Sequence, residues 1–296
     1  MLNISAIILT YNEEIHIERC INNVSRIAKE IFIIDSYSTD NTIEIAKSLG
    51  ARVYQNKWEK SYSKQFNWAL KNCDISTKWI LRIDADEYLT DELINELYAK
   101  FEKIPDSVSG IEIPLKRIFM GHEIKRGIKK STQVRFFKYG KAECEQRCMD
   151  EHIIIQGGVT EFHGAWVDNN LSTIGQWITK HNGYAERETV DLLINNYAVI
   201  DKCSDMHLTK KAAIQRKNKL NYSRMPLFWR AFFYFCFRYI VKGGFLDGKE
   251  GFLWHFLQGW WYRTLVDAKI LEIKKHCGED KEKTIEYIRQ NYKIEI

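Results

Sequence analysis

Ile80-Leu81-Arg82-Ile83-Asp84-Ala85-Asp86-Glu87 is an apolar run that ends in two aspartates spaced one residue apart. A strand that stops there delivers both acids to the carboxyl edge of a sheet, and in open α/β sheets ligands bind at that edge. Two hard oxygen donors at such a place suit a divalent cation that itself holds phosphates. The bare spacing also fits a solvated acidic turn, because three crowded carboxylates repel one another unless solvent or a cation separates them.

Strand and helix patterns alternate through the preceding residues. Residues 4–9 form an apolar strand, and 13–25 have helical spacing through Ile17, Cys20, Ile21 and Val24. Residues 31–35 are a second strand ending in Asp35. Residues 39–49 read as a helix, with Ser38 or Thr39 as N-cap and Gly50 as its stop. A short strand at 51–54, a helix at 61–72 and a strand at 79–84 complete the series. Such alternation implies βαβ units and a mostly parallel, Rossmann-like α/β sheet. From Ser109 the pattern changes to strands at 111–113, 134–137 and 150–155 without regular intervening helices, then a helix at 171–193. The expected organisation is a nucleotide-binding half at 1–105, an acceptor half at 106–205 and a helical extension at 206–296.

That extension is basic at Lys210, Lys211, Arg216, Lys217, Lys219 and Arg224, then strongly aromatic from Phe228 to Tyr239 and again from Phe252 to Tyr262. It is too short and too charged to span a bilayer, but aromatic residues beside Lys and Arg suit a headgroup boundary. Membrane-surface association is therefore expected, against the plainer reading of a helical cap. The chain has 296 residues, 45% of them hydrophobic, which is enough for a sizeable core. Its net charge of +5 is too weak to argue for nucleic acid. The seven cysteines include no CxxC pair, and Cys144 and Cys148, four apart, would share a helix face; reduced thiols are expected. The N-terminus shows no basic region or cleavage site, so a cytoplasmic location is expected, peripheral on the inner face of the membrane.

Thr10-Tyr11-Asn12-Glu13 follows the first strand, Asp35-Ser36-Tyr37-Ser38-Thr39-Asp40-Asn41-Thr42 the second, and Asp84-Ala85-Asp86-Glu87 the fourth. In that order these motifs resemble family 2 glycosyltransferases of the GT-A fold, over roughly residues 3–200. The chain is similar to non-processive enzymes of lipopolysaccharide and exopolysaccharide assembly, a group that Gly244-Phe245-Leu246-Asp247-Gly248 also matches. The resemblance implies an inverting, metal-dependent sugar transfer from a nucleotide-sugar, UDP-linked, to a glycan or lipid-linked acceptor. Thr10, Tyr11, Asn12 and Glu13 would line the nucleotide pocket and Asp35 would contact the base. Asp84 and Ala85 would lie near ribose or metal, and Asp86 would be the more direct ligand of Mg²⁺ or Mn²⁺. The family's usual Arg-Asn pair on the third helix is Phe66-Asn67 here, leaving Lys64 as the nearby charge.

On the acceptor side, a base must take the proton of the attacking hydroxyl. The resemblance points to Glu151, with Asp150 as runner-up, while His152 would orient the acid, touch acceptor or pack. Asp168 stands where relatives often carry His and can itself bind a hard cation. Lys180 and His181 match a helix motif near acceptor or diphosphate. Two other classes stay open: a nucleotidyltransferase, disfavoured because no glycine-rich triphosphate loop is present, and a non-catalytic membrane-surface protein that binds nucleotide-sugar.

Overall fold

The computed structural model describes residues 1–128, 131–147, 149, 151–194 and 206–294. The 205/206 boundary and Asp150 lie outside the described residues.

The first half follows the expected alternation: β1 Ile4–Thr10, α1 Glu14–Val24, β2 Glu30–Asp35, α2 Thr42–Ser48, β3 Arg52–Gln55, α3 Tyr62–Asn72 and β4 Trp79–Asp84. β1 pairs in parallel with β2 and β4, and β2 with β3. Helix α2 begins three residues later than the sequence suggests. Asp40 Oδ1 accepts from Thr42 N and Oγ1 at 3.1 and 2.5 Å, so the preceding residues are held in a loop. Gly50, at φ 79°, ends the helix as expected.

The chain continues through β5 Glu87–Leu89, α4 Asp91–Lys100, β6 Val108–Phe119, β7 His122–Glu123, β8 Thr132–Lys138, β9 Ala142–Cys144, β10 Ile153–Ile155, β11 Gly158–Glu161 and β12 Trp166–Asn169. The main sheet runs β3-β2-β1-β4-β8-β6-β12-β5, with β7 and β11 also paired to β6. β8 is antiparallel to both β4 and β6. β9 and β10 form a separate pair. Cys144 therefore lies on a strand rather than on the helix its spacing suggested, because Asn67 ties its backbone to α3.

Two apolar layers sandwich the sheet. Alternation in β1 and β4 sends Ile4, Ala6, Ile8, Leu81 and Ile83 to the side of α1 and α4. Ile7 and Ile80 face α3 with Phe32, Phe66 and Phe137. The same alternation puts Arg82 on the α3 face, a charge inside a strand that is otherwise apolar.

The remainder is helical: α5 Ile174–Ile194, α6 Lys210–Ser223, α7 Trp229–Cys236 continued by a π-type turn Phe237–Val241, a 3₁₀ turn Gly244–Asp247, α8 Gly248–Trp254, a π-type turn His255–Trp261, α9 Tyr262–Cys277 and α10 Lys281–Tyr292. Asp247 is buried and accepts from the backbone N–H of Lys125 and Arg126 at 2.9 and 2.7 Å, fastening this region to the turn after β7. Gly244 is required there, since a Cβ would sit 2.4 Å from His255 Nε2.

α7 and its continuation are inside out. Arg230 is buried against Asp267, with Nε 2.8 Å from Oδ1, and Arg238 donates to the Gly127 carbonyl at 3.0 Å. Trp229, Phe233, Phe237, Ile240 and Val241 face outward instead. Ring contacts link Trp229 and Phe233 through Phe232, Trp260, Phe235 and Tyr239 to exposed Phe245 and Phe252. Among the described residues no helix is long and apolar enough to cross a membrane.

Candidate functional site

Parallel register aligns three strand ends at one edge, with Thr10 beside Asp35 and Leu9 beside Asp84. Thr10 Oγ1 donates to Asp35 Oδ1 at 3.0 Å, and Ser38 N donates to Oδ2 at 2.8 Å. Asn12 takes a left-handed φ of 54°, which Asn tolerates better than most residues. Its N–H donates to Ser38 Oγ and its Oδ1 accepts from Thr39 N, both at 2.8 Å, stitching the two loops together. Tyr11 stands exposed above this seam.

The acids after β4 are held separately. Tyr62 donates its hydroxyl to Asp84 Oδ1 at 2.6 Å. Ala85 is buried and Glu87 turns inward, accepting from Arg135 Nη2 at 2.7 Å, Trp166 Nε1 at 2.8 Å and Asp84 N at 2.9 Å. Burial pushes the Glu87 carboxyl up, to about 8, against the pull of Arg135. Glu87 thus braces the turn, and the two aspartates remain as outward donors.

Asp86 Oδ2 accepts from Asn170 Nδ2 at 2.8 Å and lies 3.8 Å from Lys180 Nζ. Burial works to raise its carboxyl, but Lys180 and Asn170 outweigh burial and hold it below the usual carboxylate range. The same Lys180 Nζ stands 3.8 Å from Glu13 Oε1, whose other oxygen contacts His16 Nδ1 at 2.6 Å. Asp168 pairs with Arg117 Nε at 3.1 Å; burial, with the Asp86 charge adding, raises it.

No group of three His, Cys, Asp or Glu side chains that could hold a metal ion occurs among the described residues. Two outward carboxylates at a strand edge nevertheless suit Mg²⁺ or Mn²⁺, because Mg²⁺ typically takes one or two carboxylates and completes its shell with water and phosphate oxygens.

On the α3 face of the sheet, a small recess is lined by Arg82, Thr132, Gln133, Val134, Glu151, His152, Ile153, Thr209 and Ala212. His152 is fixed by Glu145: its N–H donates to Oε1 at 2.9 Å and Nδ1 lies 3.2 Å away. Arg216 of α6 binds the same oxygen. Asn67 on α3 donates to the Cys144 carbonyl at 2.6 Å and accepts from its N–H at 2.9 Å, setting where the strand before this segment runs.

Residues 5–151 match the model for glycosyl transferase family 2. The chain belongs to that family. It is 49% identical over 94 residues to an uncharacterized glycosyltransferase of Rickettsia bellii, a match that covers 32% of this chain and 31% of that protein's length. It is 28% identical over 192 residues to the lipopolysaccharide core biosynthesis glycosyltransferase LpsC of Rhizobium meliloti, covering 62% of this chain and 69% of LpsC. The mannosyltransferase PcManGT of Pyrobaculum calidifontis, solved with GDP-Man and Mn²⁺, shares the fold at a TM-score of 0.51 and 13% identity, over 91% of this chain and 87% of that one. The architecture is thus the GT-A fold with a helical C-terminal region.

Within this family 2 fold, the expected residues separate into two groups. Thr10, Tyr11, Asn12, Glu13, Asp35, Asp84, Ala85 and Asp86 gather at one sheet edge, joined by Asp168 and Lys180. Glu151 and His152 line the recess. Lys64 lies outside both, half-exposed and paired with Glu59 at 2.9 Å. His181 faces away from Lys180 into the helical core, with its ring 3.5 Å from that of Trp177 and Nε2 2.6 Å from Gln258 Nε2. Burial pushes its imidazole down to about 4. Tyr62, Arg82, Glu145 and Asn170 are not among the site residues expected from the sequence. The single available signal was Arg82, a charge in the middle of an apolar strand.

Proposed function

We propose that this glycosyltransferase moves a sugar, with inversion, from a UDP-linked donor to a glycan or lipid-linked acceptor in lipopolysaccharide or other cell-surface polysaccharide assembly. The observation that carries the reading is the alignment of Thr10, Asp35 and the Asp84–Asp86 pair at one sheet edge. The kinship with LpsC supports the pathway class.

In this reading Asp35 and Tyr11 hold the nucleoside, while Asp86 and Asp84 would hold Mg²⁺ or Mn²⁺. The cation supplies charge neutralisation to the departing diphosphate. Lys180, kept as an ammonium between Glu13 and Asp86, adds a second positive charge toward that diphosphate. Glu151 takes the acceptor hydroxyl proton as oxygen bonds to the anomeric carbon and the carbon–diphosphate bond breaks. His152, held by Glu145, packs beside that base.

We further assign residues 1–205 to transfer and 206–296 to docking on the inner face of the membrane. The inside-out face of α7, with lysines at 242 and 249, supports an anionic phospholipid surface. The test is transfer of radiolabelled sugar from a panel of nucleotide-sugars to membrane acceptors. Asp86→Ala and Glu151→Gln should each lower kcat by about 10² or more. Undiminished transfer by either variant would remove that residue from its role.

A further inference from the structure

Arg82 is a buried cation that is linked to the Asp84 carboxylate through the Tyr62 hydroxyl rather than by a direct ion pair. It is 8% exposed, and its polar contacts are the Tyr62 hydroxyl, 3.2 Å from Nε, and the Cys144 sulfur, 3.9 Å from Nη1. Its guanidinium lies 4.3 Å over the Tyr62 ring and 5.7 Å over Phe66. Among the described residues no carboxylate comes within ion-pair distance of it. Arg135 and Arg230, buried as deeply, hold Glu87 and Asp267, respectively. A charge taken out of water without a direct carboxylate partner is costly, so an arginine held only by a hydroxyl, a thiol and ring faces gains from an anion that arrives from outside.

The surroundings say where that anion comes from. Arg82 forms part of the wall of the recess that holds Glu151 and His152. Thr132 and Gln133 add neutral hydrogen-bonding groups. Thr209, the N-cap of the fourteen-residue α6, and Ala212 in its first turn also line it; the Thr209 hydroxyl already accepts from Ala212 N at 3.3 Å, so the helix end adds only its dipole. Glu151 is the one carboxylate among the described lining residues. We propose that this recess binds an anionic group, phosphate or carboxylate, carried by the acceptor, with Arg82 as its anchor. This rests on the reading above that Glu151 serves the acceptor. It assigns to the acceptor a negative charge next to the hydroxyl that attacks. Because Tyr62 accepts from Arg82 and donates to Asp84, the anchor also touches the donor acids through one side chain.

The test uses the full chain saturated with UDP and Mg²⁺, so that the diphosphate subsite is filled. Inorganic phosphate, acetate, a hexose phosphate and the matching neutral hexose are titrated in turn, by calorimetry and by the ring resonance of His152, assigned with His152→Gln. Phosphate or acetate is expected to bind and to move the His152 resonance, and the hexose phosphate to bind at least about tenfold more tightly than the neutral hexose. Arg82→Gln should weaken the anion by about tenfold or more while UDP affinity stays within about twofold, and Arg82→Lys should retain part of the binding. Absence of anion binding to the UDP-loaded wild type overturns the proposal, and that measurement needs no Arg82 variant. Equal affinity in Arg82→Gln also overturns it, as does a parallel loss of UDP affinity, which would place Arg82 on the donor. Failure of UDP itself to bind would instead sink the donor reading, and the same titrations without nucleotide would still decide the recess.

Discussion

Replacing Trp229, Phe233 and Ile240 together by serine should detach the protein from anionic vesicles without unfolding it. The three side chains are 62%, 54% and 60% exposed, so most of their apolar surface is free to enter a bilayer boundary. Full burial of such a side chain is worth about 1.5–3 kcal/mol. Slightly more than half of that remains to be gained by each, about 1–1.5 kcal/mol, or about 3–4 kcal/mol for the three. The partition coefficient should therefore fall by about 10²–10³-fold. Val241, Phe245 and Leu246, at 70%, 50% and 59% exposure, remain and leave weak residual binding. Lys242→Gln and Lys249→Gln should each cost a further ~1 kcal/mol on anionic lipid and nothing on neutral lipid. The assay is cosedimentation with phosphatidylcholine vesicles, with and without phosphatidylglycerol, alongside a thermal melt. Solvent-facing positions should leave stability within about 0.5 kcal/mol. A triple variant that pellets like the wild type would refute the docking face. So would a wild type that ignores both vesicle types.

Three further outcomes are expected. Tyr62→Phe removes the hydroxyl that holds Asp84 Oδ1, and should lower Mg²⁺-dependent UDP affinity by about tenfold in calorimetry while sparing metal-free UDP binding. His181 and His255 are both buried, and desolvation pushes each imidazole down to about 4, with Arg238 adding to the effect at His255. Between the ordinary value near 6.5 and 4, the unfolded chain therefore binds more protons than the folded one. Stability is full above about pH 6.5 and is lost as pH falls toward 4, by up to about 3 kcal/mol for each histidine; denaturant titrations at pH 7 and 5 read the loss, and the slope should flatten in His181→Gln/His255→Gln. A chain ending at residue 205 should lose metal-linked UDP affinity as well as vesicle binding. Retention of that affinity would show that the site needs none of the C-terminal packing.

The parallel half was legible because its signals are local. Apolar runs of strand length alternate with 3.6-residue spacing, and each run stops in a polar residue that the register then aligns. The antiparallel insertion of β8 between β4 and β6 was not legible. Val134 to Phe137 reads as a strand, but nothing in its own period says which neighbours it joins. The same limit applies to single residues. Lys180 and His181 are adjacent in sequence, yet successive helical residues point about 100° apart, so one reaches Asp86 and the other enters the core. Lys64 looked like the substitute for a missing arginine because it is near in sequence. Arg82, eighteen positions later, is the charge that lies near Phe66 in space, its guanidinium 5.7 Å over that ring, a proximity that sequence distance hides and that does not make it a replacement for the arginine.

The outward aromatic face and the acids are joined through consecutive rigid contacts. Arg230 on α7 grips Asp267 on α9, and α9 begins with Tyr262 and Arg263, which both bind Glu188 of α5 at 2.6 Å. α5 in turn carries Lys180 to Asp86. Asp247 and Arg238 fasten the same region to the turn beyond β7; β7 pairs with β6, which in turn pairs with β12 and brings Arg117 beside Asp168. Under the proposed docking, a surface welded in this way would set the tilt of the sheet edge relative to the lipid plane, unlike a tether on a flexible linker. An acceptor anchored in the bilayer would then meet Glu151 from one direction only. Selection among lipid-linked acceptors would follow from the height of the recess above the membrane as much as from contacts within it. Glu188→Gln is therefore expected to shift acceptor choice and, through Lys180 on the same helix, to weaken UDP binding as well, read by transfer to a panel of lipid-linked acceptors and by UDP calorimetry.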